Sequence, residues 1–211
     1  MRLSTLIFLA VLIAAASNAQ RKSDIFNPEV PVTWLGIDLT KAKFIGDRER
    51  YGSESDMRKL AEGWNSIFLK EPDKFNVARA IGRKEVKNAI EVTTDHNQHL
   101  DILSHYTDNK DQFGHTTLSD VNEVVSDYDY SGLSGVGLMF IVESFSKPNG
   151  KASVWVTFIN MDSKEVLFTE KMMGDPGGAG LRNYWANACH NILDRMKSKE
   201  FARWKKANSS Y

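Results

Sequence analysis

The stretch VGLMFIV over residues 136–142 constrains this chain most, because it is apolar at odd and even positions alike. Successive strand residues point to opposite faces, so a strand apolar on both must be covered on both. The segment therefore predicts a central strand between two layers. Two further strand-like runs follow, SVWVTFIN at 153–160 and EVLFTEKMM at 165–173, separated by the polar turn Met161-Asp162-Ser163-Lys164. They read as a β-hairpin. Three consecutive strands without helical crossovers predict an α+β fold, a single domain with a mixed or mainly antiparallel sheet backed by helices, and disfavour a doubly wound sheet.

Upstream, Leu35, Ile37 and Leu39 alternate with Gly36, Asp38 and Thr40, so residues 33–45 read as one extended segment. Ser53 with Asp56 three residues on marks a helix start. Met57, Leu60, Trp64 and Ile67 then give an apolar helical face over residues 54–69, stopped by Pro72. A short helix fits 74–82 and a strand fits KNAIEVTT at 87–94, while 95–116 is polar and carries no clear period. Leu118, Val121, Val124, Val125 and Tyr128 mark another helix. The last helix carries Leu181, Trp185, Ala188, Ile192 and Met196 on one stripe and continues toward Trp204. The domain is expected over 32–206, after an irregular lead-in at 20–31 and before a tail at 207–211.

The first nineteen residues read as an address. Arg2 precedes an apolar run at 3–16, and Ser17-Asn18-Ala19 places small residues where a signal peptidase cuts. The run is shorter than the roughly 20 residues that span a bilayer. Cleavage after Ala19 leaves Gln20 first; a lipid-bearing Cys would be needed there for a lipoprotein. No later segment is apolar enough to cross a membrane, so the expectation is an exported protein, periplasmic or extracellular and bacterial. Its 27 basic and 27 acidic residues offer no excess to neutralise phosphates, which excludes an obvious nucleic-acid binder. The single Cys189 cannot bridge within the chain and, on an apolar helical stripe, is expected to be buried.

Three clusters suggest sites. Four of the five histidines fall between 96 and 115, among several aspartates. His96, His99, Asp101 and His105 are of the types that bind Zn²⁺, and on a helix His96 and His99 would share a face. Asp127, Asp129, Ser131 and Gly132 match the first half of a calcium loop, but the twelfth position is Leu138, where a carboxylate belongs. Gly178, Gly180, Arg182 and Asn183 form a glycine-rich entry to a helix, able in principle to hold a small anion on free N–H groups. Neither the P-loop nor the dinucleotide pattern is met. Gly132-Leu-Ser-Gly-Val136 lacks the last glycine of a nucleophile elbow. Phe201 and Trp204 in the basic stretch 197–206 fit a solvated helix end.

The segments GVGLMFIVE (135–143), VTFINMDSKEVL (156–167) and GAGLRNYW (178–185) resemble an uncharacterised family of secreted bacterial proteins. The hairpin with its Asp-Ser-Lys-Glu-Val-Leu turn is also similar to hairpins of envelope assembly proteins, such as the curli secretion lipoprotein and the N-terminal domain of TolB. That resemblance covers about a quarter of the chain. It implies an α+β fold and a role in binding another envelope protein or a cell-surface component, with no catalytic residue and no cofactor to transfer. The reading leans away from an enzyme. The alternative is a metal-dependent hydrolase using the His/Asp segment at 95–115.

Overall fold

A computed structural model describes residues 20–208. The proposed signal peptide, residues 1–19, and the end of the tail, 209–211, lie outside them. One seven-stranded sheet organises the chain, with strand β5 (Val136–Ser146) at its centre. On one side β5 pairs antiparallel with β6 (Lys151–Asn160), which pairs antiparallel with β7 (Glu165–Gly174). On its other side it pairs in parallel with β1 (Val32–Asp38) and, further along, with β2 (Lys43–Ile45). Short strands β3 (Lys87–Asn88) and β4 (Tyr106–Thr107) extend β1 and β2, again in parallel.

These pairings correct the expected fold class. The architecture is α/β, a curled sheet whose path β3-β1-β5-β2-β4 is parallel and backed by helices, with β6 and β7 added antiparallel at one end, and not the expected α+β fold with a mixed or mainly antiparallel sheet. Parallel neighbours need long crossovers. Helix α1 (Glu54–Lys70), the single turn α2 (Val77–Ala80), α3 (Glu91–Gln98) and α4 (Leu118–Asp127) lie in those crossovers. The three consecutive C-terminal strands are confined to one end of the sheet and do not set its class.

Both faces of β5 are covered. Trp64, Phe68, Trp185 and Trp204 fill one side, from α1, α5 (Leu181–Arg195) and α6 (Phe201–Asn208). Val121, Val124 and Val125 of α4 cover Met139 and Ile141 on the other. All eleven residues of β5 are buried. Ser53 caps α1 through the Asp56 amide, and the Asp56 carboxylate returns a bond to the Ser53 amide, as the spacing predicts. A π-helical turn, Met196–Glu200, joins α5 to α6. Cys189 is buried on α5, and burial pushes its thiol up to about 12.

Two segments depart from the sequence pattern. The extended run at 33–45 breaks into β1 and β2 around a turn in which the Ala42 amide donates to the Leu39 carbonyl at 3.0 Å. The strand expected at 87–94 stops after Asn88, and residues 91–98 are helix α3, which packs against the free edge of β1 and feeds it side chains. Asn65 Oδ1 accepts from the Ile37 amide at 2.6 Å, and Asn65 Nδ2 donates to the Ile37 carbonyl at 3.2 Å. Asn97 Oδ1 accepts from the Leu39 amide at 3.0 Å, and Thr93 Oγ1 donates to the Leu35 carbonyl at 2.7 Å. Side chains thus supply what a neighbouring strand would have supplied. Gly36 makes the approach possible. Its φ is +97°, and a Cβ there would lie 2.3 Å from Thr93 Oγ1 and 2.6 Å from Asn65 Oδ1. The lead-in is tied down as well: Ile25 and Phe26 are buried, and the Arg83 guanidinium donates to the carbonyls of Val30 and Ile25.

Candidate functional site

The break between β1 and β2 collects the buried charge of the sheet. Asp38, the last residue of β1, faces Ile141, whereas Lys43 at the start of β2 faces Ser144. The Asp38 carboxylate is fully buried and accepts three bonds, from the Thr40 amide (3.1 Å), Thr40 Oγ1 (2.6 Å) and Tyr128 OH (2.6 Å). Thr40 Oγ1 also lies 3.0 Å from His96 Nε2, and the His96 ring sits 4.7 Å from that of Tyr128. Burial pushes the Asp38 carboxyl above the ordinary carboxylate range, against the opposing pull of those hydrogen bonds and of His96. Burial, and then the Asp38 charge, push the Tyr128 phenol far up, so it remains a donor. The hydroxyl of Thr40 has one proton. With Asp38 ionised it donates that proton to the carboxylate and accepts from an Nε2–H of His96. The chain Asp38–Thr40–His96 therefore links a buried acid to a half-buried imidazole through one hydroxyl.

His96 opens onto a groove of about 440 Å³ between α3 and the end of α4. Glu91, Asp95, Asp127 and Asp129 line it together with His96 and His99, and among the described residues no lysine or arginine does. Ser131 donates its hydroxyl and its amide to the Asp129 carboxylate, which lowers that group's pKa and keeps it ionised. Such a groove presents a negative surface with imidazole edges.

A second buried acid lies next to the break on β5. Glu143 is fully buried at a bulge between Val142 and Ser144. It accepts from the Thr116 amide and from Lys171 Nζ, both at 2.9 Å, and from the Ser153 hydroxyl. Lys171 Nζ also stands 4.8 Å from the Trp155 ring centroid. Every oxygen of Glu143 thus has a partner within the chain.

The structure divides the proposed metal set. His96 and His99 border the same groove, but His99 Nδ1 is bonded to the Asp95 carbonyl at 2.7 Å. Asp101 is exposed before a 3-10 turn, Ile102–His105. His105 is buried against Phe44, and burial lowers its pKa. Among the described residues, no three His, Cys, Asp or Glu side chains group so as to hold a metal ion. Of the half-matched calcium loop, Asp127 and Asp129 line the groove, while Leu138 is buried in β5. At the glycine-rich loop, Gly180 (φ +78°) precedes α5 without a side-chain cap. Arg182 turns its guanidinium onto Asn183 Oδ1, with both contacts at 3.1 Å, and Asp175 pairs with Lys151. Phe201 and Trp204 belong to the core, not to a solvated helix end: Phe201 packs on Phe26 and Trp204 on Phe168.

Asp38, Thr40, Tyr128 and Glu143 escaped the sequence reading. The one available signal was a carboxylate within each apolar strand, in GIDLT and in FIVESF. No protein-family model matches the chain, and no curated protein does.

Proposed function

We propose that this chain is an exported binding domain whose α3–α4 groove takes a cationic group from an envelope or cell-surface partner. The observation that carries the reading is the groove itself, four carboxylates around His96 with no lysine or arginine lining it among the described residues. The Asp38–Thr40–His96 chain and the His96–Tyr128 contact hold the imidazole at the groove wall, so the wall is pre-organised. Lysine or arginine side chains of a partner segment have the charge to match it, and arginine the forked geometry. Export rests on the anatomy of residues 1–19, and the intact mass of protein from the native cell should place Gln20 first.

The groove is tested by titrating a short arginine- and lysine-rich peptide into the purified protein and following heat or anisotropy. Saturable binding should weaken with added salt, because exposed charges are screened. The pair Asp127→Asn and Asp129→Asn should weaken it by about tenfold or more, the size of a lost pair of charge-assisted contacts. A peptide that binds equally well to wild type and to the double variant would overturn the reading.

A further inference from the structure

The sheet has two very different margins. One ends in β3 and β4, two residues each. The other is β7, ten residues long and bonded to β6 alone. Among the described residues no backbone group reaches its outer edge, and only its last turn is covered, where Arg195 Nη1 donates to the Met173 carbonyl at 2.8 Å. That bond shows which positions face outward. By the alternation of an antiparallel ladder, Thr169 and Lys171 turn their amides and carbonyls the same way as Met173. Natural edges are blunted by shortness, proline or charge. β7 has no proline, and its two central charges are occupied within the chain: Glu170 by Arg203 and Lys171 by Glu143.

We infer that two copies of this chain pair antiparallel through β7, about a two-fold axis at Thr169, so that one sheet continues into the other. This register sets Thr169 against its mate, two outward-facing residues whose amides and carbonyls can bond each other. It also sets Phe168 across from Glu170 of the second copy, and both lie on the face that carries α6. Lys22 Nζ stands 5.3 Å from the centroid of the Phe168 ring. Glu170 of the second copy, while keeping its own Arg203, therefore arrives beside Lys22, which places one carboxylate between two cations, and symmetry makes the contact twice. This charge match favours a second copy over an unrelated strand. On the opposite face, a trough of about 630 Å³ between α4 and residues 164–167, at the start of β7, leaves room for the neighbour's side chains.

Sedimentation equilibrium of the purified chain, with amide exchange measured at several concentrations, tests the pairing. A dimer is expected, with exchange at Thr169 and Lys171 slowing as concentration rises. Thr169→Pro removes an outward amide, a change edges tolerate, and should raise the dimer dissociation constant by about tenfold or more. Lys22→Glu, on an exposed side chain, should shift it in the same direction; it decides the matter if the proline variant fails to fold. A monomer at about 500 µM, far above a specific dissociation constant, would overturn the inference. So would a dimer that Lys22→Glu leaves unchanged and whose β7 amides exchange at the same rate at every concentration.

Discussion

The two ends of the sheet are built by different means. From β5 to β7 the strands run 11, 10 and 10 residues, and backbone pairs with backbone along nearly their whole length. From β1 to β4 they run seven, three, two and two, and past Trp34 the outer edge of β1 is closed by Asn65, Thr93 and Asn97. A ladder satisfies peptide groups whatever the side chains are. An amide plug satisfies them only if a particular side chain stands at a particular place. The parallel end should therefore depend on residue identity, and the antiparallel end on strand geometry.

That contrast can be broken at its strongest point. Asn65→Ala should strand the Ile37 amide and open a cavity beneath α1. With about 1–3 kcal/mol for each buried group left unpaired, and more for the cavity, a loss of about 4 kcal/mol in urea denaturation is expected. A smaller and pH-dependent effect is expected at Asp38. Its folded-state carboxyl lies above the ordinary value of 3.8, so above that value the unfolded chain releases the proton first. Stability contributed by this group is present below 3.8 and is lost as pH rises toward the raised folded value. Asp38→Asn should abolish that downward component, and the difference between the two stability curves should be flat below 3.8. Parallel curves at every pH would show that Asp38 does not titrate as its surroundings require. The smallest effect belongs to the ladder. Thr157 Oγ1 meets Thr169 Oγ1 at 2.8 Å across β6 and β7, and Thr157→Val should cost under about 1 kcal/mol, since the ladder remains and Thr169 stays half exposed. A cost there equal to that at Asn65 would erase the distinction between the two ends.

The same division explains what could be read from the residues alone. β5, the hairpin with its turn at 161–164, α1 with its Ser53–Asp56 cap and the final helix all carry a period several residues long, and all were legible. Strands of two or three residues have no period to detect, so β2 and β3 merged into longer extended runs, β4 went unseen, and the parallel character of the sheet was hidden. At the start of α3, Ile90, just before the helix, and Val92, Thr93 and Thr94 within it look like a strand, yet the helix is held there by what Thr93 and Asn97 do for β1. The groove was half visible. His96, His99, Asp127 and Asp129 were singled out, but as parts of two separate metal loops. Tyr128 and Asp38 stand 90 residues apart, and only the crossing of α4 over the sheet brings them together.

The asparagine plugs also bear on the order in which the chain can assemble. The hairpins of β5–β7 close over turns of four residues, 147–150 and 161–164, whereas Asn65 and Asn97 reach β1 across 28 and 58 residues. β1 leaves the ribosome before any of its partners exist, and its parallel neighbour β5 follows about a hundred residues later. Distant closures cost more chain entropy and form more slowly than local ones. The C-terminal meander is therefore expected to form first and to template the sheet, and β1, the first of the described strands, to be sealed last, once Asn65 of α1 and Asn97 of α3 bond Ile37 and Leu39.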